Sequence, residues 1–128
     1  MITALYASVL AGLLIWLSFQ VINQRRDNKV MYADGGVEKL TIARTAQGNA
    51  VDYIPITLIL MGLAEFNGAG VFWIHLTGLV FCAGRFIHAR AILNESLKGR
   101  VKGMKLTFAA MAGLILLNLV NLPLANLW

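Results

Sequence analysis

Thr45, Asn49, Asp52 and Tyr53 are the residues of this chain whose types and spacing best fit ligand chemistry. On an α-helix, residues three or four apart share a face. These four therefore form one polar stripe, while Ala46, Ala50 and Ile54 fall elsewhere on the same helix. The stripe offers an amide, a carboxylate and a phenol, and the Arg44 guanidinium stands just before it. It opens an apolar segment. A carboxylate near the membrane centre costs about 2.5–3.5 kcal/mol on insertion scales, so Asp52 is expected to have a partner and a use. Further cations and an imidazole lie at matching places. Arg25 and Arg26 end the first apolar segment, Arg85 and His88 are three apart near the end of the third, and Arg100 and Lys102 precede the fourth. A bundle would gather all of these at one depth, in a cation-rich pocket at the lipid boundary. Such a pocket suits an anionic, water-soluble ligand meeting a lipid-soluble one.

The elements that must position these groups are legible from composition. The 128 residues are 59% hydrophobic and only 13% charged, with a mean hydropathy of +0.71. That excludes an ordinary soluble domain and points to a single membrane bundle. Apolar runs predict helices over about residues 2–24, 40–64, 71–91 and 104–125, each near the ~20 residues that span a bilayer core. The expected fold is all-α, a four-transmembrane-helix bundle running up-down-up-down.

Charge gives an expected orientation. All eleven Lys and Arg residues fall in two zones, one between the first and second segments and one from Arg85 to Lys105. The positive-inside rule places both zones in the cytoplasm and both termini in the periplasm. The basic charge is thus a topology signal, and nucleic acid is not an expected partner. The first segment has no charge before it and positive charge after it, which is not the pattern of a cleaved signal peptide. One cysteine, Cys82, excludes an intrachain disulfide and is expected to pack. His75 and His88 are too far apart for a helical metal pair, so no metal is expected; His75 reads as a satisfied interfacial side chain.

Several local features refine the picture. Asp34-Gly35-Gly36 is a turn signal in the first basic loop. Pro55 should bend the second helix just past the polar stripe. Residues 94–105 read as a short basic loop punctuated by Gly99 and Gly103, and Asn118 and Asn121 as interhelical hydrogen-bonding groups. Phe72, Trp73 and Trp128 fit an aromatic belt at the outer face.

Four stretches together carry a family resemblance. They are Val21–Val30 with its Arg-Arg pair, Ala46–Pro55 with asparagine, carboxylate, aromatic and proline in order, Gly84–His88, and Gly99–Thr107. In these stretches, and in the Asp34-Gly35-Gly36 loop, the chain resembles the membrane-associated proteins in eicosanoid and glutathione metabolism, most closely their small bacterial inner-membrane branch. Each motif alone is weak; four in order over nearly the whole chain are specific.

The resemblance implies a homotrimer that binds glutathione, as co-substrate, between neighbouring subunits. By position, Asn49, Asp52 and Tyr53 match residues that hold the peptide, Arg25 and Arg26 match the helix-one arginines, and Arg85 matches the helix-three arginine. His88 stands where some relatives have tyrosine. The thiolate-stabilising arginine near the start of helix four has no clean match here; Arg100 and Lys102 both stand near its place. Arg44 precedes Asn49 by five residues, whereas the family arginine precedes by four and Thr45 holds that place here. One residue turns a helical side chain by about 100°.

The implied chemistry is thiol activation. A free thiol titrates near 8.5, and a desolvated guanidinium within ~4–6 Å lowers that by about 1–3 units. The thiolate would then attack a small lipophilic electrophile, or a hydroperoxide, arriving from the membrane lipid. Arg100, Lys102 and Arg26 are the candidates for that catalytic role. Two other readings compete. One is a non-catalytic protein of the same fold that binds lipid or a partner; the displaced Arg44 favours it. The other is a small multidrug transporter, ranked last because residues 1–24 hold no carboxylate. For Asp52 the competing structural expectation is an ion pair with Arg85 inside the bundle.

Overall fold

A computed structural model describes residues 1–123. Among them are four helices: α1 (Thr3–Asn28), α2 (Glu38–Phe66), α3 (Val71–Leu93) and α4 (Leu97–Val120). All four are long and apolar enough to cross a membrane, and the described residues contain no strand. Short connections make successive helices antiparallel, so the bundle runs up-down-up-down as expected. The helices α3 and α4 pack most extensively; α2 touches all the others, while α1 and α4 do not meet. Phe19, Leu79 and Leu116 are each more than half exposed. Outward apolar side chains of this kind are what lipid, rather than water, accommodates.

The helix ends show where sequence periodicity falls short. Helix α1 continues past residue 24 through Arg25 and Arg26 to Asn28. It stops where Lys29 turns left-handed (φ 55°) and the Val30 N–H closes on the Arg25 carbonyl at 3.0 Å. Helix α4 begins at Leu97, not 104, so Gly99 and Gly103 are helical and the loop shrinks to residues 94–96. The cause is the Ser96 side chain, which accepts from the Gly99 N–H at 3.3 Å and caps a helix whose first turns are basic. Helix α2 runs without a break through Pro55. Trp128 lies outside the described residues.

Polar ties fix the two ends of the bundle. At one end the Glu65 carboxylate accepts from the Ile2 N–H, from the Thr3 N–H at 2.8 Å and from the Thr3 hydroxyl at 2.7 Å. It thereby satisfies donors that the start of α1 leaves free. Nearby, the Tyr6 hydroxyl hydrogen-bonds His75 Nδ1 at 2.8 Å, so His75 is a satisfied packing residue. Asn118 Nδ2 crosses from α4 to the Leu60 carbonyl at 2.8 Å, whereas Asn121 bonds within its own helix. Cys82 is half-buried against the apolar core. At the basic end, Asp34 accepts from the Gly36 N–H at 3.1 Å and the Thr41 hydroxyl at 3.3 Å. These bonds, with the Arg44 charge, hold its carboxyl below the usual range.

The helices α3 and α4 meet backbone to backbone. A Cβ on Gly103 would sit 2.6 Å from His88 Cβ and 2.7 Å from its backbone nitrogen. A Cβ on Gly84 would lie 3.0 Å from the Gly103 carbonyl. Glycine is therefore required at these crossing points, as in other membrane helix pairs whose backbones touch. Gly103→Ala is expected to cost about 1–3 kcal/mol through overpacking, read as a lowered thermal midpoint in detergent. Gly12→Ala, where an added Cβ meets nothing within 4 Å, should keep or raise that midpoint, since alanine favours helix over glycine. Equal midpoints for both variants would remove the close approach as a constraint.

Candidate functional site

The crossing of α3 and α4 places Arg85 in the middle of the bundle. Its side chain is 0% exposed. Nη2 donates to Asn49 Oδ1 on α2 at 2.6 Å. Nη1 reaches Thr107 Oγ1 on α4 at 3.4 Å and lies 3.8 Å from Met104 Sδ. The guanidinium carbon stands 5.5 Å from the centroid of the Tyr53 ring, which in turn meets Phe108 edge-on at 5.8 Å. Thr107 donates its own hydroxyl hydrogen to the Gly103 carbonyl at 2.9 Å, leaving its oxygen free to accept from Arg85. Nε has no partner.

Among the described residues no carboxylate forms an ion pair with this charge, although Asp52 lies near enough to attract it. Among the described residues the ion pairs are Met1 with Glu65 and Arg26 with Asp27. The Arg85–Asp52 ion pair is not formed. Asp52 instead is exposed, midway along α2. A buried guanidinium held by an amide, a hydroxyl and a π face keeps an unspent attraction for anions, because burial of an uncompensated charge costs several kcal/mol. The neighbouring polar face of α2 looks outward from the chain.

The other predicted residues divide by position. Asn49, Tyr53 and Arg85 come together. His88 is buried at 3% exposure and donates from Nδ1 to the Arg100 carbonyl at 2.9 Å, so it braces the start of α4. Arg44 is exposed, on the side of α2 that senses Asp34. Arg25 donates to the Met31 carbonyl at 3.3 Å and Arg26 to Asn23 at 3.4 Å. Both bonds stay on α1 and the loop after it, and α1 does not touch α4 within one chain.

Arg100 and Lys102 are both exposed, but two residues apart they point about 200° from each other. Arg100 shares its helix face with Met104 and Thr107, the residues that hold Arg85. Lys102 joins Lys98 and Lys105 along a different face.

Two participants were missed from sequence, Thr107 and Met104. Neither carries charge. The available signal was Gly103-x-x-x-Thr107, two small residues at helical spacing, on the segment after the one that carries Gly84.

Comparison with known proteins decides the family. The model of the MAPEG family matches residues 3–120. This chain belongs to the MAPEG family. It is also 40% identical over 123 residues to a protein named inner membrane protein YecN in Escherichia coli K12, covering 96% of this chain and 94% of that one. The same figures hold for the protein of that name in E. coli O6:H1 strain CFT073. The MAPEG membership, the four spanning helices and the inner-membrane relative agree.

The Arg85–Asn49 bond has a testable energetic signature. A hydrogen bond to a charged group contributes about 1.5–3 kcal/mol. Asn49→Ala should therefore lower the thermal midpoint in detergent, and most of the loss should vanish in Asn49→Ala/Arg85→Met, where no charge is stranded. Additive losses in the double variant would show that the two side chains do not act as a pair.

Proposed function

We propose that this MAPEG protein is a glutathione-dependent transferase or peroxidase acting on a small lipophilic electrophile at the inner membrane. The observation that carries the reading is the outward α2 face. There Asp52 stands exposed and without an ion-pair partner among the described residues, beside Asn49 and Tyr53 and backed by the buried Arg85 charge. A carboxylate exposed midway along a spanning helix needs a partner from outside its own chain. In a homotrimer, that face meets a neighbouring subunit, and Arg25 and Arg26 of the neighbour's α1 complete the pocket. Asp52 takes the glutathione ammonium, while Tyr53 and the arginines take its carboxylates. Arg85 and His88, being buried, position Asn49 and Arg100 and do not touch the peptide.

Arg100 is the favoured thiolate stabiliser over Lys102, because it lies on the α4 face that leads to Arg85. It holds the sulfur ionised; the thiolate attacks the electrophile, forming the carbon–sulfur bond as the leaving group departs. With a hydroperoxide, the thiolate attacks the terminal oxygen and the O–O bond breaks. The alkoxide takes a proton from water and leaves as the alcohol, and a second glutathione converts the sulfenic acid to disulfide and water. The basic end of the bundle faces the cytoplasm, where glutathione is found in solution. The alternative is a non-catalytic MAPEG protein that binds lipid or a partner, which the outward shift of Arg44 toward Asp34 favours.

Isothermal titration of glutathione into detergent-purified protein tests the binding step. Saturable binding is expected, weakened about tenfold in Asp52→Asn, as for loss of one charged hydrogen bond. Equal affinity in that variant would sink the assignment. For turnover, conjugation of a generic electrophile should follow thiolate formation. Losing a thiol pKa depression of about 1–3 units in Arg100→Ala moves the rate profile to higher pH by the same amount. The rate at neutral pH then falls at least tenfold, with Lys102→Ala much less affected. An unshifted profile in Arg100→Ala excludes Arg100 from that role.

A further inference from the structure

A second groove lies on the opposite side of α3 from Arg85. Arg85 and Arg90 are five residues apart, which places them about 140° from each other around the helix. Arg90 looks into a groove of ≈ 820 Å³ walled by α1, α2 and α3 at the basic end of the bundle. That volume is within the usual ~300–1,000 Å³ of ligand sites.

The lining becomes more polar toward the mouth. On α1, Trp16 is followed one turn later by Gln20 and then Gln24; along α3 and its end, Phe86 is followed by Arg90 and Asn94, with Leu93 the one apolar side chain at that level. Helix α2 runs the other way, and there Ile42 lies below Lys39. Apolar side chains form the deep part, and amides and cations form the mouth. Lys39 and Arg90 make no ion pair among the described residues, and Glu95 at the rim adds one negative charge. The mouth therefore carries a net charge of one unit, positive.

We propose that this groove binds one membrane phospholipid, with its phosphate between Lys39 and Arg90 and its acyl chains against Trp16 and Phe86. A phosphodiester's single negative charge balances the mouth. The amides supply donors for the ester and glycerol oxygens. The layering follows the lipid's own order of chemistry, from charged headgroup to hydrocarbon, over one or two helical turns. A soluble anion would use only the mouth, and a second copy of this chain would have no phosphate to offer the two cations. The site is independent of the glutathione reading, since none of its residues is a hydrogen-bond partner of Arg85 or a member of the α2 stripe.

Native mass spectrometry of the detergent-purified protein tests this with phosphatidylglycerol as probe. One tightly held lipid per chain is expected, weakened at least tenfold in Lys39→Gln/Arg90→Gln and kept in Lys39→Arg/Arg90→Lys. Lys98→Gln/Lys105→Gln, which removes the same charge elsewhere on the surface, should change nothing. Equal loss in that control would reveal unspecific attraction and overturn the proposal. Full binding by Lys39→Gln/Arg90→Gln would also overturn it. Glycerol 3-phosphate binding as tightly as the lipid would overturn it in favour of a soluble anion. Dissociation of an oligomer in Lys39→Gln/Arg90→Gln with lipid retention unchanged would overturn it in favour of a subunit contact.

Discussion

A positive charge in the middle of the bundle, with no ion-pair partner among the described residues, is the constraint on which the rest of this structure depends. Arg85 is wholly buried, yet its two terminal nitrogens find an amide on α2 and a hydroxyl on α4. Each of those partners sits where it does for a further reason. Asn49 is one member of the α2 stripe. Thr107 is brought within reach because Gly84 and Gly103 let α3 and α4 touch backbone to backbone. Larger residues at either glycine would push Thr107 away and strand the guanidinium, and stranding a buried charge is among the costliest changes a protein can suffer.

Neutral partners for Arg85 also explain why Asp52 is left free. An ion pair between them would tie up both charges inside the bundle and leave α2 with an inert outer face. Instead the carboxylate stays outside and the guanidinium inside, with Asn49 and Tyr53 between them. The arrangement leaves a carboxylate at the exposed edge of the α2 stripe whose Asn49 and Tyr53 meet the buried guanidinium. It resembles a recognition surface more than an internal brace, which is the physical basis for reading the α2 face as the place where a zwitterionic peptide binds. The far side of α3 offers a different chemistry, layered from aromatic to cationic, and the two faces share no residue.

The amino-acid pattern made the fold legible because apolar runs of membrane length leave little choice but helices. It also made Asn49, Tyr53 and Arg85 legible as a group, since polar residues in such runs are few. The helix ends were harder. Helix α4 starts seven residues before the apolar run does, because a serine cap and backbone hydrogen bonds hold helix in water without any hydrophobic signal. Thr107 and Met104 were missed because uncharged side chains in an apolar helix look like lining. The burial of His88 was hidden for another reason. Its partner is a backbone carbonyl, that of Arg100, and backbone groups leave no trace in the sequence. That Arg100 and Lys102 lie on different faces became visible only once α4 had a register.

The most direct test is a crystal structure of the protein in lipid with glutathione bound. The account predicts the peptide at a boundary between subunits, its ammonium within hydrogen-bonding distance of Asp52, with Arg85 still buried behind Asn49. Asp52 facing acyl chains, or Arg85 swung out to form its own ion pair with Asp52, would contradict it.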